Sequence, residues 1–213
     1  MYTLKLRAGS TRRDDYNIGM THILYCLDVE TTGLDPLKNE VIELSIKRMS
    51  DGEQRTWFIK PNNINDIDPV SLKLNHHVLE DLLHKTVEGR EKYKPQEEVL
   101  IDIENFLNED GLSTRNRVPM GQNIGFDVAF LNQLWKNNNA HDTYPFGYHV
   151  VDTMIMEFML DLAKGSMKES YSLSALSKHY GVKNEKAHSA DADVRCTAKV
   201  FEIQIDSLRK MMK

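Results

Sequence analysis

The sequence predicts an α/β protein, a mixed β-sheet flanked by helices. Three observations lead to this class. Strand-like apolar runs come first, at 23–29, 41–46 and 55–59, and short strands then alternate with amphipathic helices. Turn signals bound the runs: Gly33 with Asp35-Pro36, the Asp51-Gly52 pair, and Pro61. No internal repeat and no long linker interrupts the pattern, so residues 21–213 read as one domain behind an N-terminal extension at 1–20.

The elements follow in order. Leu24 to Leu27 open the first strand as an apolar run, Val41 to Ile46 form the second, and Arg55 to Ile59 the third. A helix is expected over 69–84, with Pro69 near its start. A clearer one spans 95–108, where Val99, Ile103, Phe106 and Leu107 recur at helical spacing before Asp110-Gly111 ends it. Arg117 to Met120 read as a short strand, 125–137 as a helix, and His149 to Val151 as another short strand. Asp152 or Thr153 can cap the helix that follows. Helices near 172–180 and 190–211 complete the chain.

Composition sets the class of partner. The chain has 213 residues, enough for a sizeable core, with 40% hydrophobic and 28% charged residues. Its net charge of −5 gives no overall basic field to draw it to nucleic acid, so such a ligand would be held locally. Two cysteines, Cys26 and Cys196, do not make a disulfide framework and suit a reducing, cytoplasmic setting. No apolar run is long enough to span a membrane, and no signal peptide is evident. The extension mixes Lys5, Arg7, Arg12 and Arg13 with Asp14 and Asp15 and has little apolar periodicity, so it reads as a poorly ordered arm.

Three stretches carry chemistry. In the first strand, Asp28 and Glu30 interrupt the apolar run, point to one side and stand roughly 6.5–7 Å apart. Two such acids repel at a strand end where unpaired charge is costly, and a divalent cation between them resolves this. Oxygen ligands favour Mg²⁺ or Mn²⁺. In the second stretch, Ile124, Val128, Leu131 and Trp135 share one helix face, and Asp127 falls on the edge of that apolar stripe rather than on the solvent side. The third opens the last helix, whose apolar face is Ala190, Val194, Thr197, Ala198, Phe201, Ile205 and Leu208. Asp191 and Asp193 flank that face, and periodicity does not choose between them. Asp191 can pair with Arg195 one turn on. His188 precedes Asp193 by five residues, so the two share a site only if His188 lies at or before the first turn.

Together the stretches Asp28-Val29-Glu30-Thr31-Thr32-Gly33-Leu34, Asn123 with Phe126-Asp127, and His188 separated from Asp193 by four intervening residues resemble the three motifs of the DEDDh, or DnaQ-like, 3′→5′ exonucleases. That family includes the proofreading subunit of bacterial replicative polymerases, oligoribonuclease and ribonuclease T. Order and spacing agree over roughly residues 21–210. The resemblance implies an RNase H-like fold with a mixed five-stranded sheet. It implies that Asp28, Glu30, Asp127 and Asp193 bind two Mg²⁺ or Mn²⁺ ions and that His188 is the general base, and it selects Asp193 over Asp191. Ser189 stands where the related subclass has tyrosine, so the histidine subclass fits. Gln122 stands where many members have histidine. Thr31, Gly33, Leu34, Asn123 and Phe126 are the implied substrate contacts. Lys164, Lys168, Lys183 and Lys186 surround the third motif and read either as phosphate contacts or as a solvated lysine face.

The expected reaction is hydrolysis at the 3′ end of single-stranded DNA, releasing nucleoside 5′-monophosphates. RNA trimming and a catalytically idle polymerase-associated module are the alternatives. This chain carries no polymerase motif, so proofreading would need a separate polymerase subunit.

Overall fold

The computed structural model describes residues 17–18, 22–138 and 144–213. The expected arm at 1–20 lies outside these, apart from Asn17–Ile18, which form strand β1. The long strand β2, His22–Thr31, sits at the centre of the sheet. It pairs antiparallel with β3, Val41–Arg48, which pairs antiparallel with β4, Gln54–Phe58. On its other side it pairs parallel with β5, Arg117–Gly121, and β5 pairs parallel with β6, Val151–Asp152. The path β4-β3-β2-β5-β6 is the expected mixed five-stranded sheet, and β1 adds a short antiparallel pairing to the start of β2.

The two-residue period of β2 sorts its side chains onto two layers. Tyr25, Leu27 and Val29 pack against α4, Gln96–Asn108, and α5, Gly125–Asn137, through Ile103, Phe106, Phe130 and Leu131. Leu24 and Cys26 pack instead against Val194, Ala198 and Phe201 of the last helix. Asp28 and Glu30 continue this second parity, so the strand itself aims both acids toward the last helix.

Helix boundaries follow their caps. Pro95 precedes α4. Asp152 accepts hydrogen bonds from Met154 and Ile155 N–H and caps α6, Thr153–Lys164. Ser172 caps α7, Leu173–Tyr180, and Gly181 ends it at φ 67°. Helix α8, Ala190–Met211, closes the chain.

Three expectations are corrected. The helix over 69–84 is two short ones, α1 at Pro69–Leu74 and α2 at Leu79–Leu82. Between them His76 takes a left-handed φ of 61°, Asn75 Nδ2 donates to the Thr31 carbonyl, and His77 turns inward. Those contacts outweigh helical continuation. Helix α3, Val87–Lys92, starts at the Thr86 cap and has no counterpart in the sequence reading. Strand β6 begins two residues later than expected, because its ladder to β5 starts at Met120↔Val151.

Candidate active site

The acids of β2 meet the first turn of α8. Oxygens of Asp28, Glu30 and Asp193 lie within 4.8 Å of one another. Asp127, buried in the first turn of α5, accepts a 2.9 Å hydrogen bond from Val29 N–H and stands close enough to Asp28 to act on its charge. The three sequence stretches therefore converge on one place.

The electrostatics of this cluster are unbalanced. Burial, then the neighbouring Asp127, Glu30 and Asp193, push Asp28 well above the usual carboxylate range. Burial and the carboxylates of Asp193, Glu43 and Asp127 push Glu30 up to about 8. Burial also raises Asp127, against the Val29 hydrogen bond, and Asp193 moves the same way. The strongest charges acting on Asp28 and Glu30 are all negative. Acids held together without an internal cation make a site with high demand for an external one. Mg²⁺ or Mn²⁺ fits an all-carboxylate donor set of this kind.

His188 lies before α8, exposed, with φ 62°, and its backbone N–H donates to Asp193 Oδ2 at 3.1 Å. It therefore meets the condition set by its spacing from Asp193. Asn184 Nδ2 bonds the other oxygen, Asp193 Oδ1. Asp191 points elsewhere. It pairs with Arg195 at 2.5 Å and accepts from Gln54 Nε2 at 2.9 Å.

The second motif's loop is fixed in a similar way. Asn123 is exposed at φ 56°, and Asp152 accepts from both Asn123 N–H and Ile124 N–H at 3.2 Å. Gln122 is tied to Thr153 and to the Tyr171 carbonyl. Phe126 is half-buried, its ring 4.7 Å from that of Phe130.

After Glu30 the chain turns sharply. Thr31 Oγ1 donates to the Gly33 carbonyl at 2.6 Å. A side chain at Gly33 would collide with Asn39, whose own amide bonds Asp35 N–H and the Asp66 carbonyl. The turn leaves Leu34 78% exposed beside the acids. Of the lysines near the third motif, Lys168 is engaged by Glu157 at 2.6 Å and Asp161 at 2.8 Å, which accounts for its charge within the fold.

Sequence reasoning gave no role to Glu43, Gln54 and Asn184, and used Ser189 only to choose between subclasses. Glu43 is directly opposite Glu30 in the β2–β3 register and is buried. The signal was there in part, since Glu43 is the one acid in the apolar run Val41 to Ile46. Its partners come from distant segments and leave no local pattern.

This architecture, an RNase H-like sheet with clustered acids at the end of its central strand, defines a nuclease domain. The exonuclease family profile RNase_T matches residues 25–201, and the chain belongs to that family. Two PolC-type DNA polymerase III proteins are similar to it. The one from Latilactobacillus sakei is 31% identical over 170 residues, covering 80% of this chain and 10% of the relative. The one from Thermotoga petrophila is 30% identical over 189 residues, covering 87% and 12%. The chain thus spans about a tenth of these relatives' length. Among solved structures, E. coli exonuclease I in complex with a dT13 oligonucleotide superposes with a TM-score of 0.72 at 17% identity, over 90% of this chain and 42% of that one. Among the described residues, no helix is long and apolar enough to cross a membrane.

Proposed function

We propose that this chain is a metal-dependent 3′→5′ exonuclease that hydrolyses the terminal phosphodiester bond of single-stranded DNA and releases nucleoside 5′-monophosphates. The observation that carries this reading is the meeting of Asp28, Glu30 and Asp193 within 4.8 Å, with negative charges alone dominating the surroundings of the first two. With Asp127 they would hold two Mg²⁺ or Mn²⁺ ions. Such ions supply charge neutralisation for the phosphate and lower the pKa of the attacking water.

The chain's own groups do the rest. His188 is exposed beside Asp193 and receives the water's proton, since imidazole exchanges protons near neutral pH. The hydrogen bond from its backbone N–H to Asp193 couples the base to the acid cluster. Leu34, held out by the Gly33 turn, packs against the terminal base, with Thr31 and Gly33 shaping the backbone beneath it. Asn123 and Phe126, at the turn into α5 and in its first turn, are the further substrate contacts in this reading. Exonuclease I, the structural neighbour bound to dT13, supports single-stranded DNA as substrate, and the PolC-type relatives support action alongside a polymerase.

The test uses 5′-labelled single-stranded DNA and RNA with Mg²⁺, Mn²⁺ or EDTA. A ladder receding from the 3′ end, faster on DNA and abolished by EDTA, is expected. Internal cuts or EDTA-resistant turnover would sink the mechanism, and faster loss of RNA would move the substrate class.

A further inference from the structure

Glu43 is the buried acid of the site that is already satisfied. Its Oε1 accepts from Ser189 Oγ at 3.2 Å, and its carboxylate also accepts from the Asp191 backbone N–H. His77 Nε2 approaches Oε2 at 3.1 Å, off the N–H axis, while His77 Nδ1 sits 2.5 Å from the Tyr93 hydroxyl. Ser189, the residue at the N-terminus of α8, makes no side-chain capping bond of its own. An acid on β3 therefore supplies the capping acceptor that the Ser189 side chain does not, across 146 positions of sequence. The same first turn carries Asp193, and His188 immediately precedes it.

We propose that Glu43 is a positioning residue for the exonuclease reaction: braced by His77 and Tyr93, it pins the start of α8 to the sheet and so sets where His188 stands relative to Asp28 and Glu30. The break between α1 and α2 acquires a purpose, since it brings His77 inward to Glu43. Glu43 is read as a bracing acid rather than a fifth metal ligand, because its carboxylate already accepts from Ser189 and from the Asp191 N–H and has His77 Nε2 3.1 Å away. The inference rests on His188 acting as the base.

The experiment is a double-mutant cycle on the full chain, with kcat and KM for a short single-stranded oligonucleotide and Mn²⁺. Glu43→Ala should lower kcat by about 10- to 100-fold, the range that partners behind a metal site carry, with KM changed less than the turnover. Ser189→Ala, which keeps the buried Glu43–His77 contact, should lower kcat in the same direction by a smaller factor. It decides the matter if Glu43→Ala does not fold. In a His188→Ala background, either change should have little further effect on kcat. Unchanged kcat in a folded Glu43→Ala protein, or in Ser189→Ala where that is the variant that folds, overturns the inference. So does an equal loss of kcat with and without His188. If His188→Ala alone leaves turnover unchanged, the base assignment itself falls, and this inference falls with it.

Discussion

The two ends of strand β2 hold buried acids under opposite conditions. At the start, Tyr25 Oη donates to Asp110 at 2.7 Å, and Arg117 grips the same carboxylate through Nε and Nη2, each at 2.9 Å. Arg48, nearby on β3, meets Asp51, Glu53 and Glu109. Burial would raise Asp110, but the hydrogen bonds and the Arg117 charge win and hold it low. At the far end, Asp28, Glu30 and Asp127 are raised, and among the described residues the strongest charges acting on them are all negative. Where the chain supplies the cation, the acids tie the fold together. Where it does not, the acids are left for a ligand that carries one.

The sharpest way to break this contrast is to remove an acid from each end. Asp28→Ala or Asp193→Asn should reduce exonuclease turnover by more than about 100-fold, beyond what an indirect partner of a metal site carries, with the fold intact by circular dichroism. Asp191→Asn should retain activity. If the two aspartates of α8 exchange these outcomes, the assignment of the last ligand is wrong. At the other end, Asp110→Asn leaves Arg117 buried without its charge partner. It should cost about 3–5 kcal/mol in chemical denaturation, with turnover per folded molecule unchanged.

Titration separates the ends next. Glu30 has its folded pKa raised to about 8 from 4.5, so ionising it is harder in the folded state. Its contribution to stability is present below pH 4.5 and is lost as pH rises toward about 8. The metal-free protein should therefore melt at lower temperature at pH 8 than at pH 6, and Mn²⁺ should restore the loss most at pH 8. Asp110, shifted the other way, contributes above its ordinary range and loses that contribution as pH falls through its lowered value. A melting temperature that Mn²⁺ leaves unchanged at pH 8 would argue against a cation in the acid cluster. The smallest expected effect is at Leu34. Leu34→Ala should change stability by less than about 0.5 kcal/mol, as exposed positions do, while raising KM for the oligonucleotide. An unchanged KM would remove Leu34 from the substrate cleft.

What was legible in the sequence follows the range of the forces involved. The apolar run of β2 and the stripes of α4, α5 and α8 are periodic, so these elements and the buried setting of Asp127 could be read from spacing. Periodicity could not separate Asp191 from Asp193. The structure places Asp193 with the acids of β2 and Asp191 against Gln54 and Arg195. The broken helix at Asn75 to Val78 was not legible, because its causes are the Thr31 carbonyl and Glu43, both more than thirty residues away. Glu43 escaped for the same reason. A single acid in a strand reveals nothing of its role until the facing helix is known.

The alternation along β2 has one further consequence. Because odd positions build the core with α4 and α5 and even positions build the other layer and carry the acids, the site is written in the parity of the strand. Deleting a single residue between Tyr25 and Asp28 would bury two carboxylates among Ile103, Phe106 and Phe130, and function and folding would fail together. Lengthening the exposed turn at Asp51-Gly52 moves no parity. Inheritance can tinker freely with such loops, whereas this strand admits changes of letter but not of count.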